Sequence, residues 1–70
     1  MAYVTEQELR SATTRKLAAM LCEASIYAKS MRDDASDWVE TSRAIEKELA
    51  NRGPAGEASI RDVRRWASKA

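Results

Sequence analysis

The sequence lacks histidine and phenylalanine, and its 70 residues include only one cysteine, one proline and two glycines. A single cysteine excludes an internal disulfide bond, and without histidine a structural zinc site is not expected. The absence of histidine also removes the commonest general base near neutral pH. These absences predict a protein that is not an enzyme and that holds no metal or other cofactor.

The few residues that could take part in catalysis or metal binding are better explained by structural roles. Cys22 has no nearby base on its helix to activate a thiolate, so we expect an ordinary helix residue. Asp33, Asp34 and Asp37 lack the spacing of a calcium loop and are typical of helix capping. The Gly-Pro-Ala-Gly segment at 53–56 lacks the lysine of a phosphate-binding loop. We therefore expect no catalytic and no metal-binding residues.

Long apolar runs are also missing. No run approaches the roughly 20 residues of a membrane-spanning helix. The polar and acidic residues 1–6 are unlike a secretory signal peptide, so we expect a cytoplasmic protein. Twelve basic and eleven acidic residues give a net charge of +1, which is not the strongly basic character of a domain devoted to nucleic-acid binding.

The hydrophobic pattern predicts an all-α protein that forms one small helical domain over residues 1–70. No segment alternates apolar and polar residues in the manner of a strand. A first helix is expected over about 6–31, and Thr5 with Glu8 forms a capping box at its start. A second helix over about 36–51 should pack antiparallel against the first, because the connection between them is short.

A short third helix is expected over about 59–68. Gly53 and Pro54 end the second helix, and Ser59 is a candidate cap for the third. The second helix is too short to reach the start of the first, so we expect the third to cover Leu9. The predicted architecture is a long antiparallel helical hairpin plus a short C-terminal helix.

The predicted core is small, because 13 of the apolar residues are alanine. A domain of this size rarely gains more than about 3–5 kcal/mol from a single core. We therefore expect a homodimer in which two hairpins form a helical bundle. The expected core and dimer seam consists of Leu17, Met20, Leu21, Ala24, Ala28, Met31, Trp38, Ile45 and Leu49.

A second, narrow apolar strip lies behind this seam on the first predicted helix. It consists of Ala19, Cys22 and Ile26. One interpretation is that Ile26 is an ordinary exposed apolar side chain. The other is that the strip contacts another protein chain, and the sequence leaves both open.

The third predicted helix has a basic face and a tryptophan at the edge of that face. Its four basic side chains could neutralise about four phosphates, so nucleic-acid contact is one hypothesis. A solvated face whose arginines pair with neighbouring acids is the simpler interpretation. The tryptophan fits either a cover for the bundle or an anchor for a protein partner. These residues are Arg61, Arg64, Arg65, Trp66 and Lys69.

The leading hypothesis for function is a small regulatory or inhibitory protein that acts by binding another protein. It rests on the missing catalytic and metal-binding residues and on the two apolar faces of the first helix. A phage or mobile-element accessory protein that targets a host factor would fit this description by analogy of type. The alternatives are a dimeric DNA- or RNA-binding regulator that uses the basic helix, and a structural subunit of a larger assembly.

Overall fold

A computed structural model of the protein describes residues 1–69, with the side chain of Lys69 excepted. The helices are α1 (Glu6–Ser11), α2 (Thr14–Ala28), α3 (Ala35–Asn51) and α4 (Pro54–Lys69). The described residues contain no β-strand, so the all-α prediction is confirmed for them. None of these four helices is both long enough and apolar enough to cross a membrane.

The core lies where α2, α3 and α4 pack against one another, while the short α1 lies against α3. Each long helix contributes apolar side chains at helical spacing, as an amphipathic helix does when one face is covered. Burial of a large aliphatic side chain stabilises the fold by about 1.5–3 kcal/mol. The buried apolar residues are Leu9, Leu17, Leu21, Ala24, Ile45, Leu49, Ile60 and Val63.

Much of the predicted dimer seam is buried within one chain, because α4 packs against both α2 and α3. Met20 and Trp38 are half-buried and pack against the core, and Ala28 is also half-buried. These core positions are therefore filled without a second chain. Homodimerisation stays a prediction. The seam residues that one chain buries are Leu17, Leu21, Ala24, Ile45 and Leu49.

The single helix predicted over 6–31 is wrong, because the chain leaves the helical path at Ala12. This residue is extended, with φ −76° and ψ 145°. Thr13 is also extended, and its hydroxyl accepts a 3.0 Å hydrogen bond from the backbone N–H of Lys16. A threonine cap of this kind starts a new helix, because it satisfies a backbone donor that the previous turn no longer serves. The break allows Leu9 to be buried while α1 lies against α3.

The end of α2 also differs from the prediction. The helix stops at Ala28, and the Ser30 hydroxyl donates a 2.7 Å hydrogen bond to the carbonyl of Tyr27. Met31, which was expected in the seam, lies beyond the helix with a fully exposed side chain. The seam therefore does not extend to Met31. The helical spacing that predicted its burial does not apply, because α2 ends before this residue.

The third predicted helix is longer than expected, since α4 begins at Pro54 rather than near Ser59. Gly53 has φ 89° and makes the turn that a residue with a side chain would resist. Proline suits the first helical position because its missing N–H has no partner there in any helix. Ser59 lies inside α4, where its hydroxyl donates to the carbonyl of Ala55.

Gly56 allows α4 to approach α3 at short range. A Cβ atom at this position would lie 1.8 Å from the carbonyl oxygen of Leu49 and 2.6 Å from its carbonyl carbon. Both atoms belong to the backbone, so a side-chain rotation cannot relieve the clash. Glycine is therefore required here by packing, whereas at Gly53 the backbone conformation requires it.

Arg52 connects the end of α3 to the break between α1 and α2. Its guanidinium donates a 2.8 Å hydrogen bond to the carbonyl of Leu9 and a longer one, 3.4 Å, to the hydroxyl of Thr14. Glu48 pairs with the same guanidinium at 3.0 Å. Because helix C-terminal carbonyls lack partners within their own helix, Arg52 satisfies a group that the break would otherwise leave to solvent.

Candidate functional site

Ile26 and Trp66 lie in one apolar groove between α2 and α4. Their side chains are 51% and 46% exposed, although both are large and hydrophobic. Ser25, Lys29 and Ala67 complete the lining of a groove of about 200 Å³. The structure therefore brings together two residues that the sequence analysis had placed in separate features.

The amphipathic pattern of α4 explains why Trp66 reaches this position. Ile60 and Val63 occupy its buried face, and Trp66 follows Val63 by three residues, which places it at the edge of that face. It lies beside the C-terminal half of α2 and lines the groove with Ile26. Trp66 therefore does not close the bundle over Leu9, because it lines the groove with Ile26, whereas α1, which carries Leu9, packs on α3.

The second apolar strip does not lie on the surface as a unit. Cys22 is half-buried, carries a free thiol and packs against the core, whereas Ala19 is exposed. Of these three residues, only Ile26 presents a large apolar side chain to solvent. The surface that the strip offers to a partner is therefore the Ile26 end, where Trp66 enlarges it.

A second groove continues from the first, between α2 and α3. It has a volume of about 310 Å³ and shares Ser25 and Lys29 with the apolar groove. Arg43 and Glu46 contribute its other charged side chains, and its remaining lining is Ala28, Val39 and Ser42. The ammonium group of Lys29 lies 3.5 Å from the carbonyl oxygen of Ala67, at the junction of the two grooves.

The basic face of α4 is partly neutralised. Arg64 forms a 2.5 Å ion pair with Glu46 of α3. Arg61 and Arg65 are exposed, and neither makes an ion pair with another described residue. The side chain of Lys69 lies outside the described residues. Of the predicted nucleic-acid contacts, Arg61 and Arg65 are therefore the ones shown facing solvent without a paired acid.

An aromatic cluster that the sequence analysis did not predict joins the N-terminal segment to α3. The ring of Trp38 lies 4.6 Å from that of Tyr3 and 4.8 Å from that of Tyr27, measured between centroids. Asp34 accepts hydrogen bonds from the Tyr3 hydroxyl and the Trp38 indole, each at 3.1 Å, and from Arg32 at 2.9 Å. It stands at the N-cap position of α3 but its side chain caps no backbone N–H, so the expected capping role is wrong for Asp34. The i, i+4 spacing of Asp34 and Trp38 was visible in the sequence, but the contact with Tyr3 was not.

The same cluster shifts two acid–base equilibria. The hydrogen bond from Arg32 lowers the pKa of Asp34 below its ordinary value of 3.8, although partial desolvation opposes this shift. Desolvation and then the hydrogen bond to Asp34 raise the pKa of the Tyr3 phenol above 10.0. Tyr3, Arg32 and Trp38 all donate to the ionised carboxylate of Asp34. The bond from the Tyr3 hydroxyl attaches the N-terminal segment to the start of α3.

In the described part of the chain, no three His, Cys, Asp or Glu side chains converge as a metal site would require. The chain matches no protein-family model, no curated protein sequence and no solved structure. Function is therefore inferred from the surface of the fold itself, whose most distinctive part is the apolar groove.

Proposed function

We propose that this is a small non-enzymatic protein that acts by binding another protein through the groove of Ile26 and Trp66. The observation that carries the proposal is the side-by-side exposure of these two large apolar side chains. Tryptophan is among the residues most enriched at the centres of protein interfaces, because it combines a large apolar area with little conformational freedom.

The groove is suited to a partner because its apolar residues belong to packed helices. Ile26 and Trp66 are held by α2 and α4, whose inner faces are fixed by Leu21, Ala24 and Val63. A partner that covers them removes apolar surface from water without having to reorganise the fold. Regulation or inhibition of a partner by occupation of its surface stays a prediction, as do the accessory role in a phage or mobile element and the cytoplasmic location.

The test is affinity capture from nuclease-treated lysate of the native host, with Trp66→Ala compared against wild type. Loss of a central tryptophan is expected to cost about 2 kcal/mol or more, roughly a 30-fold increase in Kd. Met31→Ala is the matched control, because Met31 is an exposed apolar residue outside the groove. A partner that binds wild type and the Trp66→Ala variant equally well would contradict the proposal.

Nucleic-acid binding is the second candidate, and the exposed, unpaired state of Arg61 and Arg65 among the described residues favours it. Replacement of both arginines by alanine should weaken nucleic-acid binding and reduce its dependence on salt. The same double variant should leave capture of a protein by the groove unchanged. The variant that loses binding therefore distinguishes the two functions: Trp66→Ala for a protein partner, and the double alanine variant of Arg61 and Arg65 for nucleic acid.

Homodimerisation and a structural role in a larger assembly stay predictions with their own measurements. Sedimentation equilibrium of the purified protein distinguishes a monomer from a dimer. The seam residue Leu21 is buried within one chain, so Leu21→Asp should unfold the monomer rather than merely separate two folded chains.

A further inference from the structure

We propose that the partner segment is acidic: an apolar side chain enters the groove of Ile26 and Trp66, and neighbouring carboxylates pair with Lys29 and Arg43. This inference rests on the proposed function and specifies the chemistry of the partner.

The apolar groove is sized for an anchor rather than for a long helix. Its volume of about 200 Å³ is below the range of roughly 300–1,000 Å³ that is usual for complete ligand pockets. An anchor side chain placed against Ile26 and Trp66 leaves the rest of the partner segment outside the groove. The neighbouring part of that segment must then lie over the second groove or over solvent.

The second groove has an excess of positive charge. Its charged lining residues are Lys29, Arg43 and Glu46. Glu46 is already paired with Arg64 at 2.5 Å, whereas Arg43 makes no ion pair with any described residue. Two cationic groups therefore remain available to a partner at the end of the apolar groove, and carboxylates are their complement.

Two acidic residues on α2 and α4 indicate which way the partner segment should be oriented along the grooves. Glu23 and Asp62 are exposed and precede Ile26 and Trp66 by three and four residues on their helices. One helical turn separates such positions, so these acids lie at the end of the groove away from Lys29. The partner's carboxylates are therefore expected on one side of its apolar anchor, the side over Lys29 and Arg43.

The experiment is selection of short random peptides displayed on phage against the immobilised wild-type protein and against a Lys29→Glu/Arg43→Glu double variant. Wild type should select peptides that combine an aromatic or aliphatic anchor with aspartate or glutamate. The double variant should select basic residues in their place. An acidic peptide from the first selection should bind Lys29→Glu at least about tenfold more weakly, and its affinity for wild type should fall as salt rises.

The controls separate this inference from the function beneath it. Peptides that require Trp66 but show the same charge composition in both selections would leave the groove function standing and overturn the acidic partner. Peptides that bind Trp66→Ala as well as wild type would overturn both. A selection that yields no peptide above background, or tight binding of duplex DNA that Lys29→Glu abolishes, would also count against the acidic segment. Circular dichroism of each variant must show that helicity is retained, because Lys29 and Arg43 lie on the surface.

Discussion

Replacement of Gly56 by alanine is the sharpest test of how α4 packs on α3. Alanine is normally the better helix former, so a substitution judged on helix propensity alone would be expected to stabilise α4 by about 1 kcal/mol. The structure predicts the opposite sign. The added methyl group would lie 1.8 Å from the carbonyl oxygen of Leu49, and this atom belongs to the backbone of a packed helix.

The size of the effect follows from the distance that α4 must move. Ordinary contact begins near 3.4 Å, so the helices must separate by roughly 1.5 Å. Overpacking of a core usually costs about 1–3 kcal/mol. Separation also loosens Ile60 and Val63, which together bury apolar area worth several kcal/mol. After the propensity gain is subtracted, we expect a net loss of about 2 kcal/mol, a large part of the ~3–5 kcal/mol that one small core supplies.

Urea denaturation followed by circular dichroism measures this loss directly. Ala55→Gly is the matched control, because Ala55 is exposed on the first turn of the same helix. That control should lose no more than about 1 kcal/mol, the difference in helix propensity. A Gly56→Ala protein as stable as wild type, or more stable, would refute the close approach of α4 to α3.

Three further predictions concern polar contacts. Arg52→Ala should lower the free energy of unfolding by about 1–3 kcal/mol in urea titrations, because a half-buried carbonyl of α1 loses a charged donor. Thr41→Val should cost a similar amount, about 1–3 kcal/mol, because Thr41 is only 1% exposed and its hydroxyl accepts a hydrogen bond from the Tyr3 amide at 2.8 Å. Asp34→Asn should lower the free energy of unfolding at neutral pH, and this difference from wild type should disappear in acid. Arg32 lowers the folded-state pKa of Asp34 below 3.8. The ionised carboxylate therefore stabilises the fold above that pH, and this contribution is lost as pH falls below it.

Each of these has a neighbouring control. Arg10→Ala removes an exposed arginine whose ion pair joins one helical turn, so it should change stability by less than about 0.5 kcal/mol. Ser42→Ala tests whether any hydroxyl on α3 matters as much as that of Thr41. Asp33→Asn removes a neighbouring, exposed carboxylate and should leave the free energy of unfolding unchanged. Equal effects in variant and control would mean that the proposed contact contributes nothing specific.

Local signals in the sequence predicted one helix cap correctly and misplaced others. Asp34 occupies the N-cap position of α3 without a side-chain cap hydrogen bond, and Ser59 lies inside α4. The capping box of Thr5 and Glu8 is present in both directions. Thr13, however, lies on the apolar stripe of a continuous helical pattern, so periodicity alone concealed the break that its hydroxyl makes. Gly53 and Pro54 were correctly placed at a boundary, but Pro54 also starts α4. A proline that ends one helix can occupy the first position of the next, and spacing does not distinguish the two roles.

The candidate groove was less predictable than the helices, because it depends on which faces meet. Ile26 and Trp66 were each identified as unusual apolar residues, yet they are 40 positions apart in the sequence. Their proximity follows from α4 packing beside α2, which requires both the turn at Gly53 and the close contact at Gly56. The pairing of Arg64 with Glu46 likewise joins two helices and has no local signature.

Because the chain leaves the helical path at Ala12, α1 can detach from the fold without unfolding of the other helices. Leu9 is the only side chain that α1 buries, whereas α2 and α3 each bury several. Detachment of α1 therefore requires less free energy than global unfolding and leaves the three-helix core intact. Amide hydrogens of α1 should exchange with deuterated solvent through this local opening, while those around Leu21 and Ile45 should exchange only when the whole fold opens.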